Sequence, residues 1–142
     1  MDRALGVDTL ETATTWSSIE RLYNDVRAAL DDAMRSTAPA KGAHGIVLTH
    51  ISHSYPDGAS LYFSFIFPRD LANELTQWRT IKAAASDAIV RAGGTISHHH
   101  GVGSDHAAWL KPEKGWIGLE VLRAVKGYLD PTGSLNPGKM LP

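Results

Sequence analysis

Apolar residues at Trp16, Ile19, Leu22, Tyr23, Val26, Leu30 and Met34 recur at steps of three and four. That spacing predicts an amphipathic helix over 16–34. Thr15 or Ser17 is placed to cap it, and Ser17 with Glu20 has capping-box spacing. A second stripe, Leu71, Leu75, Trp78, Lys82, Ala85 and Ile89, predicts another helix, started by Asp70 and ended by Gly93-Gly94. Between them the period changes to two. Leu61, Phe63, Phe65 and Phe67 alternate with Tyr62, Ser64 and Ile66, so 61–67 reads as a strand with one apolar face. Gly45–His53 is rich in β-formers, and Tyr55-Pro56-Asp57-Gly58 carries turn chemistry, so the two strands are expected as a hairpin. Arg3–Glu11 and Thr95–His98 are expected as shorter strands.

The predicted order is therefore β, α, β, β, α, β. This is a split βαβ, ferredoxin-like α+β pattern: an antiparallel sheet with two helices on one face. It places the Leu/Phe row of 61–67 toward the helices and Tyr62 on the bare face. Residues 1–103 are expected to form this unit. Residues 104–142 are expected as a helical extension, with a short helix at 105–110 and a longer one at 116–129. Asp130-Pro131-Thr132-Gly133 and Asn136-Pro137-Gly138-Lys139 follow as turns.

Composition narrows the function classes. The chain has 142 residues, a formal net charge of −1 and no cysteine. Near-neutral charge without a basic cluster argues against a nucleic-acid partner. The absence of cysteine rules out disulfides and thiolate metal sites, and it fits a cytoplasmic protein. No stretch approaches a membrane span.

Candidate chemistry lies in His98-His99-His100, followed by Gly101-Val102-Gly103. In an extended chain His98 and His100 share a side and His99 faces the other way. Three ligands to one ion would need the backbone to turn, which Gly101 and Gly103 would allow. A loop of surface histidines is the plainer reading of the same residues. Gly101-Val102-Gly103 begins like a dinucleotide loop, but His106 stands where the third glycine belongs. Tyr62, aimed away from the Phe63 and Phe65 face, offers a phenol for proton transfer.

Several segments together resemble a known family. Gly93 to Gly103 with Trp109-Leu110, the segment Glu11-Thr12-Ala13 with Trp16, and the aromatic strand with Tyr55, Gly58 and Leu61-Tyr62-Phe63 are similar to alkyldihydroxyacetonephosphate synthases and their bacterial relatives. Leu129 to Gly133 with Leu135 to Lys139 resembles the C-terminal end that these share with glycolate oxidase and D-lactate dehydrogenase subunits. The resemblance implies the C-terminal cap of a two-domain, FAD-linked enzyme of the vanillyl-alcohol-oxidase type. In the synthases the flavin exchanges an acyl group on dihydroxyacetone phosphate for a fatty alcohol, a step toward ether lipids.

It implies catalytic roles for Tyr62, His98, His99 and His100, contact of His100, Gly101 and Asn136 with FAD, and no metal. The partners implied are an N-terminal FAD-binding domain and a small or lipid-like substrate, through which the cytoplasmic protein would meet membranes. A homodimer through the bare sheet face is a further expectation. The isolated chain is expected to be inactive and not to retain FAD. Related 2-hydroxy acid dehydrogenases carry Gly-Glu-His-Gly where this chain has His98-His99-His100-Gly101, and there the Glu and His help hold a metal. A cap of that kind is one alternative. A stand-alone ferredoxin-like binding module is another.

Overall fold

The computed structural model describes residues 4–141; Arg3 of the first expected strand lies outside them. Three strands form one antiparallel sheet in the order β1-β3-β2, where β1 is Leu5–Thr15, β2 is Ile46–Ser54 and β3 is Gly58–Pro68. Helices α1 (Ile19–Ser36) and α2 (Glu74–Arg91) follow β1 and β3. Both cover one face of the sheet. Leu22, Val26 and Leu30 of α1 and Ile81, Ala85 and Ile89 of α2 share a core with Leu10, Leu61, Phe63, Phe65 and Phe67. The period-two pattern of β3 thus does what it predicts: its Leu/Phe face is buried, while Tyr62, Ser64 and Ile66 remain partly exposed on the other side. Fully burying each of these apolar side chains contributes about 1.5–3 kcal/mol. The architecture is α+β.

Segment 95–98 takes the place of the expected fourth strand without forming a ladder. It runs along the outer edge of β1 through two bonds, Thr95 N to Ala13 O and His98 N to Glu11 O, each 3.0 Å. The reason is a competitor for its donors. Glu113 accepts from Ile96 N at 2.6 Å and from Thr95 Oγ1 at 2.9 Å, so a side chain satisfies the stretch. β1 is longer than its weak pattern suggests, because β3 supplies an eleven-residue partner in unbroken register from Leu5 with Pro68 to Thr15 with Gly58.

The helix starts also differ. A 3-10 turn, Trp16–Ser18, precedes α1, and neither Thr15 nor Ser17 makes a capping bond; their hydroxyls bond each other instead. Asp70 does not cap α2. Its carboxylate accepts from Ala72 N and Asn73 Nδ2, closing a turn that delays the helix to Glu74. Leu71 and Leu75 are consequently outside the core. Gln77 replaces them: it is buried and bonds Pro68 O, Thr37 O and Asp70 N. The Gly93-Gly94 stop forms as expected, with Gly93 at φ 76° and Gly94 N bonded to Ile89 O.

The extension is α3, Ala107–Leu129, bent where Gly115 adopts φ 69° and ψ 174°. It therefore comprises two helical pieces, as the pattern predicts. After the bend, Ile117, Val121, Val125 and Tyr128 form an exposed stripe. No helix among the described residues is long and apolar enough to cross a membrane.

Candidate active site on the bare sheet face

Strand pairing assembles the site. Glu11 on β1, Tyr62 on β3 and His50 on β2 are direct cross-strand neighbours, so they form one row on the helix-free face. The ring of His50 stacks on Tyr62 with centroids 5.2 Å apart, and His100 meets the same phenol edge-on at 5.3 Å. Next to this row, Ser60 and His53 approach from the hairpin and the His98–His100 loop folds over from the outer edge of β1.

Glu11 is the centre of the arrangement. It is only 4% exposed. Its Oε1 accepts from Ser60 Oγ at 2.9 Å and lies 3.1 Å from His98 Nδ1 and 3.4 Å from His53 Nδ1. Its Oε2 lies 3.4 Å from His100 Nε2. Burial by itself would raise the carboxyl's pKa, but hydrogen bonds from Ser60, His98, Ser52 and His53 outweigh it and hold the group below the ordinary carboxylate range. A buried carboxylate with no lysine or arginine partner among the described residues is thus kept ionised by hydrogen bonds and imidazoles.

The three adjacent histidines do not divide by alternation. His99 has φ 59°, a left-handed conformation, and His100 N bonds back to His98 O at 2.7 Å. The turn therefore falls on His99 itself as well as on Gly101 and Gly103. His99 ends with its ring 3.9 Å from that of His98 and 4.5 Å from that of His53. The expectation that His99 would face away from His98 fails for this reason. Glu11, His53, His98 and His99 each offer a ligand atom, and all four atoms lie within 4.8 Å of one another. One carboxylate and three imidazoles suit a transition-metal ion chemically.

Tyr62, His98, His99 and His100 are therefore brought together. Asn136 is not: it sits exposed in the C-terminal turn at φ 46°, and no hydrogen bond among the described residues ties it to the cluster. Gly101 lines a neighbouring polar hollow of about 300 Å³ with Asp8, Lys82 and His106. His106 is 9% exposed and its Nδ1 has no hydrogen-bond partner among the described residues. Burial, then the nearby Lys82 charge, push its imidazole below the ordinary histidine range.

Sequence reasoning left Glu11, His50, His53 and Tyr55 out of the site. Their signal is pairing register. Once Glu11 is aligned with Tyr62, a lone carboxylate on the bare face opposite a tyrosine becomes conspicuous. A weak first strand gave no such alignment.

Residues 1–140 match the family described as FAD linked oxidases, C-terminal domain. Among curated relatives, the alkyldihydroxyacetonephosphate synthase of Dictyostelium discoideum is 31% identical over 100% of this chain and 23% of its own length. That of Caenorhabditis elegans is 36% identical over 87% of this chain and 21% of its own. An uncharacterized FAD-linked oxidoreductase of Escherichia coli (strain K12) is 29% identical over 94% and 28%. A solved alkyldihydroxyacetonephosphate synthase superposes with a TM-score of 0.64 at 26% identity, over 96% of this chain and 21% of that one. The chain thus spans 21–28% of these relatives' length. It belongs to the FAD-linked oxidase C-terminal domain family.

Proposed function

We propose that this chain is the substrate-side cap of a two-domain FAD enzyme of the alkyldihydroxyacetonephosphate synthase type, with Tyr62, His98, His99 and His100 lining the reaction chamber. The observation that carries the reading is the row Glu11–Tyr62–His50 with His100 above it, on a sheet face that no helix covers. The same face continues into exposed Val7, Ile46 and Leu48. An apolar area bordering a polar row fits a flat, amphipathic ring system such as the isoalloxazine of FAD. FAD, when bound, would supply an electron-accepting ring. His100 and Gly101 are the residues of this chain that would border it. Tyr62 holds or releases a proton at its hydroxyl, and the histidines, gathered around ionised Glu11, can carry positive charge toward a phosphate or take a proton from the substrate.

The exposed stripe of α3 supports the same reading, since residues 104–142 would dock it on the FAD-binding domain. Glu11, His53 and His98 serve here as a hydrogen-bonded group, with the His99 ring packed on those of His53 and His98, and not as metal ligands. The second reading, a cap of a 2-hydroxy acid dehydrogenase, is favoured by the mutual proximity of those four ligand atoms.

A chimera tests both readings. This chain replaces the homologous last quarter of the Dictyostelium synthase, and the purified protein is given an acyl-dihydroxyacetone phosphate and a fatty alcohol. Formation of the alkyl product is expected. A flavin-loaded chimera that instead oxidises 2-hydroxy acids, and does so only with added zinc or manganese, would establish the second reading.

A further inference from the structure

The phenol that the hydrogen bonds single out is Tyr55. Its hydroxyl lies 3.0 Å from His98 Nε2, and the opposite nitrogen of that ring lies 3.1 Å from Glu11 Oε1. A neutral imidazole carries one proton. Facing an ionised carboxylate, that proton belongs on Nδ1, which leaves Nε2 as the acceptor for the Tyr55 hydroxyl. Phenol, imidazole and buried carboxylate thus stand in line. Tyr62, by contrast, makes no hydrogen bond through its hydroxyl among the described residues and touches His50 and His100 only through ring faces and edges.

The backbone holds Tyr55 for this contact. Tyr55 N bonds Gly58 O at 2.8 Å, and Trp16 Nε1 donates to Tyr55 O at 3.1 Å. At the far end Ser60 Oγ fixes Glu11, and His53 N in turn donates to Ser60 Oγ at 3.0 Å. Tyr55 is 40% exposed and borders an open hollow of about 330 Å³ lined by Thr14, Gly58 and Thr95. One end of the line is reachable from outside and the other is sealed.

We propose that Tyr55, His98 and Glu11 form a proton relay in which Tyr55 exchanges the proton with substrate and Glu11 holds the charge left on His98. This rests on the proposed function for the identity of the reaction but not for the existence of the relay. As the Tyr55 oxygen takes a proton from substrate, the phenolic proton passes to His98 Nε2. The imidazolium keeps its Nδ1 proton against Glu11. One proton enters, one positive charge resides on His98, and no electron moves; return of the proton reverses each step.

Two measurements test it. In the 142-residue chain, nitrogen NMR of the histidine rings should find neutral His98 protonated on Nδ1, the reverse of the tautomer preferred by a free histidine side chain. Tyr55→Phe should move its Nε2 resonance toward the position of an unbonded ring nitrogen, and Tyr62→Phe should not. In the chimera, Tyr55→Phe should lower kcat at least about tenfold, the low side of a general acid–base contribution, with KM nearly unchanged. Tyr23→Phe, on α1 at the opposite face of the sheet, is the control. Protonation of His98 on Nε2, an unmoved Nε2 resonance in Tyr55→Phe, or unchanged kcat in an active chimera would each overturn the relay. An inactive wild-type chimera would instead defeat the proposed function, with the NMR result still deciding whether the relay exists.

Discussion

Phe63 and Phe65 in the body of the chain are wholly out of solvent, whereas Trp116, Ile117 and Tyr128 in the second half of α3 are 66%, 72% and 87% exposed. Both sets are periodic apolar residues that sequence alone would bury. What separates them is a partner. The body has a sheet face and two helices that complete one another. Beyond Gly115 the helix buries Leu119 but leaves most of its other large apolar side chains exposed, whereas the earlier half of α3 is secured by buried Leu110 and by Glu113 clamped to residues 95–96. The same rule, that an apolar stripe must be covered, is satisfied inside the chain in one case and points outside it in the other.

The comparison breaks most sharply at Phe65. Truncation to alanine is expected to cost about 3–5 kcal/mol, the usual range for emptying a buried aromatic site. That is a large part of the roughly 5–15 kcal/mol that holds a domain together. Trp116→Ala is expected to stay within about 0.5 kcal/mol, as exposed substitutions do. Urea unfolding of the two variants decides the matter. Equal losses would mean that the second half of α3 belongs to the body.

The hairpin gives a smaller effect, Gly58→Ala. A methyl group there would run into the carbonyl oxygen of Thr14, and backbone cannot step aside without opening the β1–β3 register. A loss of about 1–3 kcal/mol is expected, as for overpacking elsewhere. The site should suffer with the fold, since Tyr55 N and Trp16 N both bond into this turn.

Acid sharpens the contrast between the site loop and the core. His106 is favoured neutral in the folded chain, below its ordinary pKa of 6.5, so the unfolded state binds more protons once pH falls through that value. Its contribution is complete above about 6.5 and declines on acidification. Glu11 is favoured ionised, below its ordinary 4.5; its contribution is present above that pH and declines as the carboxylate is protonated. Loosening should therefore begin around His106 and reach the Glu11 row only at lower pH. Amide protection followed from pH 7 to 4, corrected for the intrinsic slowing of exchange in acid, is expected to fall first in residues 100–107. Earlier loss at β1 and β3 would contradict the order.

Legibility in the sequence followed the range of the interactions. The β3 alternation and both helical stripes are local, and residues such as Phe63, Leu30 and Ile89 stand where their periods put them. The Gly93-Gly94 stop is local as well. The missed features depend on partners far along the chain. Glu113 intercepts the donors of 95–96, Gln77 takes the core position that the stripe assigned to Leu75, and Glu11 reaches Tyr62 only through a sheet register. The histidine run was visible as chemistry, but its geometry was not, because a left-handed His99 carries no mark in the sequence.

The smallest effect is expected at the end of α3, where the turn is held by two side chains, Asp130 and Lys126, whose Nζ also donates to Leu135 O at 2.6 Å. Asp130 accepts from Ser134 N at 2.9 Å and Leu135 N at 3.0 Å and pairs with Lys126. The Lys126 hydrogen bond comes first among the causes that bring its carboxyl down to about 2 from 3.8, with the Leu135 and Ser134 amides adding to it against the opposing effect of burial. The stabilisation is therefore present above pH 3.8 and disappears as pH falls through about 2. Asp130→Asn removes the charge while keeping an acceptor, so the turn should fray rather than unfold. Exchange of the Ser134 and Leu135 amides should quicken several-fold, with the thermal midpoint of the body unmoved. A lowered midpoint would show that this turn is coupled to the core. The contrast between a buried body and an exposed extension would then no longer hold.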